Sequence, residues 1–342
     1  MYPLEPEASD HFRLLFLPLL PSESTMNSTE FAEALFNSLS FASILILTAL
    51  GLSITFGVMR VINMAHGEML MLGAYTAYLV EEPQAFPVLI RNLGGLLGMD
   101  WRTEFGLHMS LFVAIPLAFL LVALVGYVME VSLIRFLYGR PLDTLLATWG
   151  ISLILQQVIL LLFDADLKPV HLPGILEGTW EVGGITIQIY RAFIVFVTLL
   201  CLLAVYFWFY RTTFGLKIRA VTQNRPMASA LGISTRRVDA LTFAFASGLA
   251  GVAGCIFGHL YTVKYNMGGD YVVEAFMVVI LGGMGQLTGS VAGGALIGTG
   301  EGFIEKLLVN ASMAKVVTLL VVIALIMVRP SGLFHAKERY HD

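Results

Sequence analysis

Four groups of residues combine side-chain types and spacings that could do chemistry. The first is Ile62-Asn-Met-Ala-His-Gly-Glu68, which lies just after Arg60 between two apolar stretches. Ionisable side chains in such surroundings line a pathway or pair inside a helix bundle. A helix beginning near His66-Gly67 would also turn its free N–H groups into a cavity. Asn63, His66 and Glu68 are therefore candidates for a solute path, with Gly67 marking a broken helix. The plainer alternative is a tight turn in which Glu68 supplies a favourable charge at a helix start. His66 and Glu68 stand two apart and do not share a helix face, which argues against a metal or acid–base pair.

The second group, Thr144, Thr148, Ser152 and Gln156, recurs every four residues. At 3.6 residues per turn these drift by about 40° per step, so they form one polar stripe on an otherwise apolar helix. Such a stripe lines a polar path or ties helices together through hydrogen bonds. The third group is Gly282-Gly283-Met284-Gly285 with Gly289 and Gly293. Consecutive Gly282 and Gly283 predict an unwound stretch, and the spacing of 285, 289 and 293 predicts close helix packing. Because 62–68 and 282–285 both interrupt apolar spans, they suggest an inverted repeat with a site between them.

The fourth group is basic and runs from Thr212 to Val238. Pro226 suits a first helical turn and Gly232 a helix end, so a short helix is expected over Met227 to Leu231. Its apolar Met227, Ala228 and Leu231, framed by Arg219, Asn224, Arg225 and Gly232, would suit a soluble partner. The arginines are also explained by orientation in a membrane alone, but that leaves the bounded helix unexplained. No GxxxxGK[ST] loop, HExxH or Cys/His cluster at metal spacing is present. The expectation is a chain without catalytic residues, metal or cofactor, with any ATP hydrolysis on another chain.

The elements that must position these residues are membrane helices. The chain has 342 residues, 57% hydrophobic and only 13% charged, with a mean hydropathy of +0.81. A soluble protein carries about 45–50% apolar and about 25% charged residues, so this chain cannot face water all round. Disorder is excluded by the same composition. A disulfide scaffold is excluded because Cys201 and Cys255 both sit in apolar runs.

A membrane helix needs about 20 apolar residues. Clear spans run over 35–58, 107–128, 144–163, 192–210, 240–260 and 313–328, while 64–80 and 271–308 are apolar but broken by glycine and ionisable residues. Lysine and arginine mark cytoplasmic loops. The segment 211–239 carries six of them against Asp239 alone, whereas 81–106 and 164–191 are acid-rich. Counting crossings gives nine with the N-terminus outside and the C-terminus inside, or eight if part of 271–308 is re-entrant. The fold class is thus an all-α polytopic membrane protein of about 8–9 transmembrane helices, with broken or re-entrant segments and an inverted repeat. Gly183-Gly184 between two β-prone runs predicts a small periplasmic hairpin in the 164–191 loop. Residues 1–30 read as an extension outside the bundle, with a signal peptide or a start at Met26 as alternatives. The bundle itself covers 31–334, and 335–342 form a cytoplasmic tail.

The run 62–68, the segment Ile218-Arg-Ala-Val-Thr-Gln-Asn-Arg225 with Leu231-Gly-Ile233, and Leu281-Gly-Gly-Met-Gly285 together resemble the permeases of bacterial ATP-binding-cassette importers for branched-chain amino acids and amides. The similarity covers about 30–334. Within that family, Gly139 to Gln157 and Thr235 to Phe243 look most like the urea importer permease. The run Tyr265 to Tyr271 with Glu274 departs from the urea-type pattern and puts that substrate in doubt. The resemblance implies an inner-membrane subunit that pairs with a second, homologous permease, two cytoplasmic ATPases and a periplasmic binding protein, with 218–233 as the region the ATPase grips. It implies neither nucleic acid nor a bound cofactor.

Three functions fit these residues. A urea or amide path needs amide and hydroxyl groups, which Asn63, Thr148, Ser152 and Gln156 supply. A path for amino-acid zwitterions needs charge complements, for which Glu68 and Glu274 stand out. A self-sufficient channel or secondary transporter also explains broken spans, but has no use for a coupling helix.

Overall fold

The computed structural model describes residues 27–82, 110–308, 311–329 and 332–333. Most of the expected N-terminal extension, most of the 81–106 loop and the 335–342 tail lie outside the described residues. Eleven α-helices and one hairpin are described, in this order: α1 (Ser28–Met59), α2 (His66–Glu81), α3 (Ser110–Ser132), a 3₁₀ turn (Ile134–Phe136), α4 (Pro141–Phe163), β1 (Thr179–Val182), β2 (Ile185–Gln188), α5 (Ile189–Arg211), α6 (Thr213–Gln223), α7 (Arg225–Ala230), α8 (Thr235–Leu260), α9 (Met267–Gly282), α10 (Leu287–Leu308) and α11 (Ala311–Val328). Five helices, α1, α3 with its 3₁₀ extension, α4, α5 and α8, are long and apolar enough to cross a membrane. The chain is an all-α polytopic membrane protein. The region 271–308 is helical on both sides of a short turn at 283–286.

The helices α2 and α9 have 16 residues each, or about 24 Å at 1.5 Å per residue. That falls short of the ~30 Å hydrocarbon core. The break before α2 begins at Arg60, whose left-handed φ of 54° ends α1.

Packing repeats between the two ends of the chain. Glycines 294, 298 and 302 of α10 seat on Ile46, Ala42 and Ser38 of α1, and Gly248 and Gly251 of α8 seat on Phe119 and Ala118 of α3, both pairs running antiparallel. Small residues let the backbones approach where apolar burial gives no driving force between helices. The start of α8 joins the ends of α1 and α5 at a basic end, where Ile54, Phe209, Ile218 and Val238 share one apolar cluster. The first and last helical units therefore run in opposite senses, as an inverted repeat requires.

Burial separates centre from rim. About 89% of the apolar window of α8 is enclosed, against 17% for α4. Enclosure of α1 is possible despite its many hydroxyls because all the buried ones but Ser53 donate to their own helix, as Ser38 does to the Ala34 carbonyl at 2.7 Å and Thr48 to that of Ile44 at 3.0 Å. At the opposite, acidic end the expected hairpin forms, with Gly183 and Gly184 both at positive φ as its two-residue turn requires. The Thr186 N–H donates to Glu33 at 2.9 Å and fastens the hairpin to α1.

Candidate functional site

The start of α2 lies deep in the bundle. Gly67 packs against the backbone of Gly268 in the first turn of α9, so closely that a Cβ on Gly67 would come within 2.1 Å of the Gly268 carbonyl oxygen. Asn63 Oδ1 accepts from the Ala65 N–H at 3.1 Å and shapes the turn into α2, while its amide nitrogen is buried without a partner. His66 is fully buried and its Nε2 lies 2.9 Å from the Thr48 carbonyl. A carbonyl only accepts, so the proton sits on Nε2 and leaves Nδ1 unpartnered. As the spacing suggested, His66 and Glu68 make no pair; they face α1 and α4 respectively.

Glu68 is buried and collects the polar stripe of α4. Its Oε1 accepts from Ser152 Oγ at 3.0 Å and from Gln156 Nε2 at 2.7 Å. One turn below, Thr148 Oγ1 accepts from the Met64 N–H at 3.1 Å. Thr144 serves its own helix start, donating to the Arg140 carbonyl at 2.8 Å. The stripe is thus the buried face of a helix otherwise exposed on this chain, and it holds 62–68 in place. The second oxygen of Glu68 has no hydrogen-bond partner and abuts Gly268. A groove of about 260 Å³ is lined only by apolar side chains, among them Phe56, Ile62, Met64, Leu145, Phe276 and Ile280.

The counterpart of 62–68 is not 282–285. Gly282, Gly283 and Gly285 lie at the basic end, where Gly283 and Gly285 adopt positive φ and Gly285 meets Gly57 of α1. The segment that mirrors 60–66 is 261–266, which enters α9 opposite Gly67. Gly285 also drops out of the helical series, since α10 begins at Leu287; Gly289 and Gly293 do pack closely, on Gly282 and on Val278 with Gly282. Glu274 is buried two turns into α9 and forms an ion pair with Lys315 at 2.6 Å, whose ammonium also lies 4.5 Å from the Tyr271 ring centre.

At the basic end, Asn224 Oδ1 accepts from the Met227 N–H at 3.0 Å and caps α7, and Gly232 at φ +84° ends the turn that follows. The short helix spans Arg225–Ala230. Met227 and Leu231 are 57% and 75% exposed, whereas Ala228 is buried and belongs to the core rather than to an outer face. Arg219, although exposed, and the half-buried Arg225 both have partners within the chain. Arg219 donates to the Phe209 carbonyl, and Arg225 pairs with the buried Asp239 while lying over the Tyr138 ring at 4.9 Å. Burial and the Asp239 and Glu130 carboxylates push the Tyr138 phenol well above its ordinary pKa. It stays protonated and donates to Glu130 at 2.9 Å.

Gly268, Glu130, Tyr138 and Lys315 escaped the sequence reading. The signal for Glu130 was an acid in an apolar helix with Arg135 five residues on; a glycine pair across 201 positions leaves no such mark. Among the described residues no group of histidine, cysteine and acidic side chains could hold a metal ion.

Two inverted helical units that meet at broken spans over a buried carboxylate, with a basic helical elbow at one end, have the construction of a membrane permease. The chain belongs to the family of permease components of branched-chain amino acid transport systems, which matches residues 34–326. It is 29% identical over 315 residues to the high-affinity branched-chain amino acid transport system permease protein LivH of Salmonella typhimurium and to LivH of Escherichia coli K12, covering 90% of this chain and 96% of each relative. BraD of Pseudomonas aeruginosa, a permease protein of the same kind, is 29% identical over 314 residues, 90% of this chain and 97% of BraD. No solved structure matches the chain. The urea-like features of 139–157 and 235–243 find no support in these relatives, whose names all specify branched-chain amino acids.

Proposed function

We propose that this chain is a transmembrane subunit of an ATP-driven importer for branched-chain amino acids, working with a homologous permease, two cytoplasmic ATPases and a periplasmic binding protein. The family match across 34–326 carries this reading. Two features support the substrate: an unpartnered amide on Asn63 and an unpartnered carboxylate oxygen on Glu68, and a separate groove, reached by Ile62 and Met64 of the same segment, lined only by apolar side chains. A branched aliphatic side chain fits apolar walls, and urea has no apolar part to place there. Lysine and arginine at α6, α7 and the start of α8 put that end in the cytoplasm and the hairpin outside, in a bacterial inner membrane. The exposed Met227 and Leu231 then face the ATPase.

Deletion of this chain in its own host is expected to abolish uptake of [14C]leucine and spare that of [14C]urea. Restoration by the wild-type chain and not by Met227→Asp/Leu231→Asp, which loses the ATPase on purification, supports both substrate and coupling. Loss of urea uptake alone would return the substrate to an amide, and ATPase retained by the double variant would remove α7 from the docking face.

A further inference from the structure

Beneath α7 lies a closed, charge-balanced cluster that the family assignment leaves without a role. Glu130 at the end of α3 and Asp239 at the start of α8 both have fully buried side chains. Arg135 approaches Glu130 at 3.4 Å and Arg225 pairs with Asp239, so two acids meet two arginines. Tyr138 stands between them, its ring under Arg225 and its hydroxyl 2.9 Å from Glu130 and 3.3 Å from the Met59 sulfur. Removing one partner of such a buried set leaves a bare charge, so the cluster moves as a unit or is disrupted.

The place of Tyr138 in the chain gives the cluster a direction. Met59 is the last residue of α1 before the backbone breaks at Arg60. Three residues after Tyr138, α4 begins, and its Thr148 and its Ser152 with Gln156 hold Met64 and Glu68. One continuous stretch, 138–156, therefore touches the broken segment at its beginning, middle and end. Its only side-chain link to α7 among the contacts described is the guanidinium of Arg225 over the Tyr138 ring.

We infer that the Arg225–Tyr138 stack is the joint through which a displacement of α7 reaches the segment 60–68, with Tyr138 a positioning residue and Arg225 facing inward rather than gripping the ATPase. This rests on the importer reading. The test uses the whole complex reconstituted in liposomes with leucine-loaded binding protein, and reads leucine moved per ATP hydrolysed. Tyr138→Leu is expected to keep its ATPase and lower that ratio about fivefold, in the range a partly exposed cation–π contact supports. Tyr138→Phe keeps the ring and is expected to stay within about twofold. Arg225→Lys, which keeps its charge opposite Asp239 but loses the planar stack, should fall between them. An unchanged ratio in Tyr138→Leu, an equal fall in Tyr138→Phe, or loss of the ATPase from both Tyr138→Leu and Arg225→Lys would overturn the joint. A wild-type complex that does not answer leucine-loaded binding protein would instead refute the importer reading.

Discussion

Glu68 and Glu274 sit on equivalent 16-residue helices of the two inverted units, yet their carboxylates are satisfied by opposite means. Glu68 is held by two neutral donors, Ser152 and Gln156, and keeps one oxygen unpartnered against Gly268. Glu274 is held by the ammonium of Lys315 on a neighbouring helix. Neutral donors can be exchanged one at a time for those of a passing solute, at a cost near one hydrogen bond per step. An ion pair at such a depth cannot be opened without stranding a charge. The carboxylate of the first unit is thus held by neutral partners and that of the second by a charge.

The most severe way to break this relation is to part the two helices. Ala at position 67 or at 268 would drive a Cβ into backbone, 2.1 Å and 2.6 Å from its nearest atoms, and neither helix can yield locally. Gly67→Ala and Gly268→Ala are each expected to cost about 3 kcal/mol or more, seen as loss of the monodisperse peak in detergent. Gly269→Ala, one residue away with open space around it, should leave that peak unchanged or sharpen it. Equal behaviour of 268 and 269 would dissolve the crossing.

Next in size is the anchor. Lys315→Met strands the buried Glu274 and should lower stability by about 3 kcal/mol, at the low end for a broken buried pair because Lys315 is part-exposed. Adding Glu274→Gln removes the stranded charge and should recover most of the loss in the same thermal-shift assay. If the double variant is as unstable as the single one, Glu274 is not held by charge. The smallest effect belongs to the first unit: Gln156→Leu removes the shorter of two bonds to Glu68 and should cost about 1–2 kcal/mol of stability, while leucine uptake falls several-fold more than the surviving protein accounts for. Uptake in proportion to surviving protein would leave the stripe as a helix fastener alone.

Local chemistry made much of this legible in the sequence. Gly183-Gly184 named its own turn, Pro226 and Gly232 bounded their own short helix, and the four-residue period of Thr144 to Gln156 marked one face. Each of those signals is complete within a few residues. The crossing of Gly67 with Gly268 was not legible because a glycine announces close approach without saying what approaches. The conspicuous Gly282-Gly283 drew attention to the wrong end of α9 for the same reason. Arg225 read as an outward charge because six basic residues in one segment satisfy the orientation rule whichever way one of them points.

The Gly67–Gly268 crossing also sets a timetable for synthesis. About 200 residues separate its two sides, so at roughly 5–20 residues per second α2 waits some 10–40 s in the membrane before α9 exists to receive it. During that interval the carboxylate of Glu68 needs another companion, and α4 emerges less than halfway through the wait carrying Ser152 and Gln156. The polar stripe of a helix otherwise exposed on this chain can thus act as an internal chaperone for its own chain, shielding the most costly side chain of the first unit until the second is made.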